Sequence, residues 1–349
     1  MNLILRSCKD GKVNRTTPPG RPRPVTQEDV ARAVGVSRTL VSFAFRGAPG
    51  VSPGMRQTIL ETAKMLGYRH NAVAADLASK HPSAIGLFLL DLRNEVYADI
   101  FQGVRESVGE ARHRLILSVS RSTGGIDPGS VDSLIEARVG IIIAATFLDT
   151  DARVRELASS VPVVNVTRRV VGVDSVYSDD WAGARAATEH LISLGHARIA
   201  HITATPYEGH EERRRSYTAA MDHAGLTPEI VTADQYTQQA AERAAAGLLN
   251  GTDRPTAVFA HNDEMALGIR EAAHAAGLSV PQDLSIVGYD NSRISKLHGI
   301  DLTSVDLRAH ELGTAAGTAA LKRLASPEAP TLDERYDPRL IVRNSTARR

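Results

Sequence analysis

The chain has 349 residues, of which 42% are apolar and 23% charged. It is long enough for two or three domains of roughly 100–200 residues, and apolar enough to give each a core. No apolar run reaches the roughly 18 residues of a membrane helix, and the longest, such as Val139–Ala145, are strand-sized. The opening MNLILRSCKDGK has too short an apolar stretch before Arg6 for a signal-peptide core. A single cysteine, Cys8, excludes an internal disulfide and a cysteine-based metal site and points to a reducing cytoplasm. The net charge of +1 hides an asymmetry: residues 1–80 carry 13 Lys/Arg against 5 Asp/Glu, whereas the rest is acidic. A basic head on an acidic body suggests that the head alone meets a polyanion, the plainer alternative being a solvated basic face.

Residues 1–24 read as a flexible basic arm, with Pro18, Pro19, Pro22 and Pro24 crowded around Gly20 and with Arg21 and Arg23 between them. Such an arm can enter a DNA minor groove or remain an unstructured tail. The head proper is expected over 25–70. Thr26, with Asp29 three residues on, is a helix N-cap, and Gly35 ends that helix. Ser37 caps a second helix with Leu40, Val41 and Ala44 inward. Two short helices around a tight turn make a helix-turn-helix, which would bring Arg38, Thr39 and Ser42 to base edges or phosphates. A third helix follows Ser52-Pro53, with Ile59, Leu60, Ala63 and Leu66 as its apolar face. Residues 71–82 form a short capped helix and linker, too short to be stable alone.

From Ser83 strands and helices alternate. Strand-like runs are 85–90, 115–119, 140–145, 161–166, 199–203, 256–260 and 284–288, with helical runs such as 97–110, 181–194, 211–224, 240–249 and 263–276 between them. This alternation predicts an α/β body with parallel sheets, helices on both faces, and ligands at the carboxyl ends of strands. Residues 83–346 are too many for one small sheet, so two α/β subdomains around a cleft are expected. The twelve histidines form no metal constellation, the HExxH spacing fails at His210, and His261 and His298 read as surface histidines, with a place flanking the cleft as the alternative. With no GxSxG, Walker loop or cysteine nucleophile, neither a catalytic residue, a metal nor a cofactor is expected.

From Pro24 onward the chain resembles the lactose-repressor/galactose-repressor (LacI/GalR) family of bacterial transcription regulators. The segments that carry the resemblance are VTQEDVARAVGVSRTLVS, VSPGMRQTILETAKMLGY, NAVAADLA, IGLFLLDLRNEVYADIFQGV, ATEHLISLGHARIAHI, HNDEMALGIREAAHAAGLSVPQDLSIVGYDNS and LIVRNST, in the family's order. The resemblance implies a three-helix head and a hinge helix over 71–79, in which Leu77 is the wedge that opens a base step. It implies a periplasmic-binding-protein-like body with residues 83–178 and 306–330 in one subdomain, and 179–303 and 331–343 in the other. The implied partners are double-stranded operator DNA, a second copy of the chain and a sugar-like effector; a nucleoside or protein corepressor is the alternative, and a pure ligand-binding protein or an enzyme the more distant ones. The implied DNA-facing set is Thr26, Ser37, Arg38, Thr39, Ser42, Phe43, Arg46, Ser52, Tyr68, Asn71, Ala74 and Leu77.

The implied effector-facing set is Asp91, Tyr97, Arg168, Trp181, Arg213, Asn262 and Asp290, with Phe147 and Asp149 as lesser candidates. An arginine fork suits hydroxyls or carboxylates, an acidic residue at a strand end accepts hydroxyls, and an aromatic ring packs on a sugar face. For Asn262 the competing role is a helix cap, for Tyr97 and Trp181 packing, for Arg168 an exposed loop charge. The chain departs from the family pattern at VSFAFRG, where Phe43 and Arg46 stand, and at His70, Asp76 and Leu307. Those differences predict an operator away from the family consensus.

Overall fold

A computed structural model of the chain describes residues 23, 25–68, 84–109, 113–120, 127–147, 149–204, 210–251 and 253–349. They belong to two compact units, 1–75 and 76–349. The basic arm apart from Arg23, and the segment 71–82 with Asn71, Ala74, Asp76 and Leu77, lie outside the described residues.

The first unit is a three-helix head. Helix α1 (Gln27–Val34) starts at a capping box, in which the Thr26 hydroxyl accepts from the Asp29 N–H and the Asp29 carboxylate accepts from the Thr26 N–H. Gly35, at φ +77°, ends it in the left-handed region that glycine adopts without strain. Ser37 caps α2 (Arg38–Arg46), and Ser52 caps α3 (Pro53–Met65), which carries proline in its first turn. Val30, Ala31, Val41, Ala44, Ile59 and Ala63 form the core. The expected inner face of α3 is narrower than its sequence suggests: Leu60 and Leu66 are each 40% exposed. Leu40 is half-buried. Three short helices enclose a single stripe from each partner, and a second apolar row finds nothing to pack on.

The second unit holds two six-stranded sheets. Sheet one comprises β1 (Ile85–Leu89), β2 (Leu115–Val119), β3 (Ile141–Ala145), β4 (Val163–Val166), β5 (Asp174–Ser178) and a late strand, β11 (Asp333–Tyr336). Its order is β11-β5-β4-β3-β1-β2 and all its pairs are parallel. Helices α4 (Val96–Gly109), α5 (Pro128–Glu136), α6 (Asp151–Ser160) and α11 (Ala309–Ala325) belong to this subdomain. Sheet two comprises β6 (Ile199–Ala204), β7 (Glu229–Ala233), β8 (Ala257–Ala260), β9 (Ser285–Tyr289), β10 (Thr303–Asp306) and β12 (Arg339–Ile341), in the order β12-β10-β9-β8-β6-β7. Only β12 runs antiparallel. Its helices are α7 (Asp180–Ser193), α8 (His210–His223), α9 (Gln238–Leu249) and α10 (Asp263–Ala275). Nearly uniform burial of β1, β3, β4, β6, β8 and β9 is what parallel strands covered on both faces require.

The chain crosses between subdomains three times: after β5, between β10 and α11, and between β11 and β12. This corrects the expected assignment of all of 331–343 to the second subdomain, since Asp333–Tyr336 pairs with β5 in the first. Strand β11 reads DERY, an edge strand with exposed and half-exposed residues, so it carries no apolar signal. The charges hold it instead: Asp333 accepts from Arg169 Nε at 2.7 Å and from the Tyr177 hydroxyl at 3.0 Å. Helices α4 and α11 cross backbone to backbone, because Gly103 and Gly313 present no side chains; a Cβ on Gly103 would lie 2.1 Å from the His310 carbonyl oxygen. Among the described residues no helix is long and apolar enough to cross a membrane.

Candidate functional site

A cavity of about 100 Å³ lies between the subdomains, where strand ends from both sheets converge. Asp91, Tyr97, Arg213, Asn262 and Asp290 line it together, five of the seven residues expected to face an effector. These come from the loop after β1, the start of α4, helix α8, the cap of α10 and the end of β9.

Arg213 is fixed on three sides. Its Nε donates to Asp180 at 2.8 Å, its Nη1 donates to the His261 carbonyl at 2.8 Å, and its guanidinium carbon sits 3.6 Å from the centre of the Tyr289 ring. Gly183 makes room for that ring, since a Cβ there would lie 2.3 Å from the Tyr289 hydroxyl. Burial alone would pull the guanidinium down, but the charge of Asp180 and the groups around it outweigh that and hold Arg213 protonated, above its ordinary value. Neither bond uses Nη2, and Arg213 is among the residues that line the cavity.

Asp290 follows β9 in a left-handed conformation, φ +100°, with Asn291 next at φ +48°. Such conformations store of order 1–3 kcal/mol each and concentrate at binding sites. The turn is held by the Asp290 N–H bonded to the Val305 carbonyl and by Asn291, which donates to Asp306 and accepts from Arg343. Burial pushes the Asp290 carboxyl up to about 8, with Arg213 offsetting only part of the effect. Asn94, from the opposite subdomain, donates to it at 3.2 Å. Thr146 and Thr167, which directly follow β3 and β4, also have positive φ, line the cavity and meet hydroxyl to hydroxyl at 3.0 Å.

The other expected residues divide. Asn262 caps α10, accepting from the Met265 N–H at 2.9 Å, and lines the cavity as well. Asp91 is gripped by Arg93 through both oxygens; despite burial, those bonds keep it below the usual carboxylate value. Arg168 is not among the lining residues: it pairs with Asp151 and donates to the Asp149 carbonyl, drawn to the acidic start of α6. Trp181 is 37% exposed and also lies outside the lining, with Arg215 over its ring. Phe147 packs edge-on against Phe88 and, with Asp149, borders a separate groove beside α6. His298 is exposed, whereas His261 is buried and lines the cavity, the alternative to its reading as a surface histidine. Its ring lies 4.6 Å from that of Tyr236, giving the cavity an aromatic wall.

Sequence reasoning missed Asp180, Asn94, Thr146, Thr167, Tyr236 and Glu264 in this lining. The available signal was position, since Thr146, Thr167 and Asp180 each stand within two residues of a strand's carboxyl end. Among the described residues no group of three His, Cys, Asp or Glu is placed to hold a metal.

In the head, Arg38 and Thr39 are exposed on the first turn of α2. Ser42 and Phe43 are half-buried, and Arg46 lies 5.3 Å from the Phe43 ring centre. Ser37, Ser52 and Thr26 spend side-chain oxygens on caps. Tyr68 packs its ring 5.2 Å from Phe45, within the head's partly buried shell.

A helix-turn-helix head joined to two parallel-sheet subdomains around a polar cleft defines a ligand-sensing DNA-binding protein. Residues 188–346 match the periplasmic binding protein-like domain family. The chain is 35% identical over 299 residues to catabolite control protein A of Priestia megaterium, covering 84% of this chain and 90% of that one. It is 30% identical to the ribose operon repressor of Escherichia coli, covering 92% and 99%. It also superposes on the lac repressor dimer bound to operator and the anti-inducer ONPF with a TM-score of 0.82, at 26% identity over 93% of this chain and 100% of that one. The chain belongs to the LacI/GalR family of transcriptional regulators.

Proposed function

We propose that the chain is a cytoplasmic repressor rather than an enzyme. It binds a near-palindromic operator as a homodimer and releases or tightens on it when a small polyhydroxylated, sugar-like effector occupies the cleft. The observation that carries this reading is Arg213, a buried fork held by Asp180, the His261 carbonyl and the Tyr289 face, with Asp290 beside it at a strained strand end. Fixed donors and acceptors of this kind match a rigid set of hydroxyls, and Tyr97 and the Tyr236–His261 pair offer apolar faces. Because the cleft has walls from both subdomains, a ligand that bridges Asp290 and the loop after β1 favours the closed arrangement, and differential affinity for that arrangement is what couples it to DNA. Arg38, Thr39, Ser42, Phe43 and Arg46 on α2 are the proposed operator contacts. Residues 25–70 serve as the DNA-binding domain, 71–82 as the hinge and 83–346 as the sensor.

The test is fluorescence anisotropy of the full chain with the DNA upstream of its own gene, across a salt series and a panel of neutral sugars and nucleosides. Saturable binding that weakens steeply with salt and shifts with a sugar supports the reading. A shift with a nucleoside alone replaces the effector class, and no saturable binding to this or selected DNA defeats the repressor.

A further inference from the structure

Among its described residues the cleft contains cations but no free cationic charge. Among the described residues that line it the cations are Arg93 and Arg213, and each is spent on a carboxylate: Arg93 on both oxygens of Asp91, the nearest at 2.7 Å, and Arg213 on Asp180 at 2.8 Å. Two further acidic residues, Glu264 and Asp290, also face the cavity. The Arg213–Asp180 pair is the decisive one, because its side chains are only 8% and 13% exposed and solvent screens it little.

We propose that Asp180 is the charge-selecting residue of this cleft: by neutralising Arg213 it turns an anion-binding arginine into a hydroxyl-binding one, so that uncharged polyols enter and phosphorylated or carboxylated ones are refused. This rests on the cleft being the effector site. Arg213 would otherwise be a strong anion site, since a buried guanidinium offers a planar fork that matches carboxylate and phosphate oxygens. Asp180 takes the Nε–H and the His261 carbonyl takes one Nη1–H, so two of the five guanidinium donors, including the Nε member of the side-on fork, are already engaged. The remaining N–H groups can serve a ligand hydroxyl, whereas an anion would meet a guanidinium whose charge is already balanced by Asp180 and would also face Glu264. Asp180 stands at the first position of α7, where the helix N-terminus favours its negative charge and keeps the pair formed. Burial favours the protonated form of Asp290, so that carboxyl can donate to as well as accept from a ligand hydroxyl.

The experiment compares the full-length chain with Asp180→Asn, Asp180→Glu and the double variant Asp180→Asn/Arg213→Gln. Thermal shift and isothermal titration are run with inorganic phosphate, glucose 6-phosphate, glucuronate and glucose. The expected result is a gain of at least about tenfold in anion affinity for Asp180→Asn over the unaltered chain, absent from the double variant and from Asp180→Glu; the double variant keeps the basic head and so accounts for anions held there. Tighter binding of glucose 6-phosphate or glucuronate than of glucose to the unaltered chain overturns the proposal, and so does a folded Asp180→Asn with no anion gain. The first of these arms needs no variant, so a failure of Asp180→Asn to fold leaves the proposal exposed to it. An anion gain in Asp180→Asn with no neutral ligand altering DNA binding upholds the charge selection and defeats the effector reading instead.

Discussion

Replacing Asp290 with Asn separates two descriptions of the cleft. In one, Asp290 is an ionised partner of Arg213; in the other, Arg213 is already spent on Asp180 and Asp290 keeps its proton. The second follows from the geometry, and burial pushes Asp290 up to about 8. In the unfolded chain an aspartate titrates near about 3.9. Between these values the folded state holds a proton that the unfolded state has lost, so unfolding releases it and stability falls as pH rises. From about pH 6 to about pH 9 the loss attributable to this one group is on the order of 2–3 kcal/mol, nearly complete a pH unit above its folded value. Asp290→Asn removes the titration, so the stability of the unaltered chain minus that of the variant should fall by this amount over that range. Urea denaturation at matched pH measures it, and the buried histidines cancel because both proteins carry them. A difference that stays flat, or that moves in favour of the unaltered chain, would place a charge on Asp290 at neutral pH and refute the reasoning.

Gly103→Ala should destabilise the first subdomain by about 1–3 kcal/mol or more, because the added carbon meets the His310 carbonyl oxygen at 2.1 Å and the Thr314 nitrogen at 2.7 Å, both backbone atoms that cannot rotate away; a thermal melt within half a degree of the parent contradicts this. Thr26→Ala removes half of the capping box and should cost the head about 0.5–2 kcal/mol, read as faster amide exchange along α1 in the full chain. Arg38→Ala should lower the salt-dependence slope of operator binding by about 1 if its exposed guanidinium meets a phosphate, whereas an unchanged slope takes it off the backbone.

The parts of the fold that the sequence displayed are those in which a local rule acts alone. Thr26, Ser37 and Ser52 announce helix starts, Gly35 an end, and uniformly apolar runs such as Ile85–Leu89 and Ile141–Ala145 announce parallel strands. Strands β5, β7, β10, β11 and β12 escaped because their residues mix polar with apolar, and β11 also pairs far along the chain, meeting β5 across 158 positions at Asp333 and Ser175. In the cleft, Arg213 and Asp290 were legible because a charged residue next to a strand end or in the family's position stands out. Arg168 was misplaced because its partners, Asp151 and the Asp149 carbonyl, are visible only once α6 is folded beside it. Asp180 was hidden for the opposite reason: an acidic residue at a helix start reads as a cap, and its ion pair spans 33 positions.

The three crossings between subdomains also govern how the body is made. Sheet one lacks its edge strand until Asp333–Tyr336 is synthesised, and sheet two lacks its own until Arg339–Ile341 follows. Neither half therefore exists as a contiguous stretch of chain, and a nascent sensor must hold two unfinished sheets open until its last segment arrives. The consequence is an order in time: every residue that lines the cleft, up to Leu312, is made before the strands that finish the two sheets behind it. A chain cut short before Asp333 leaves both halves without an edge strand.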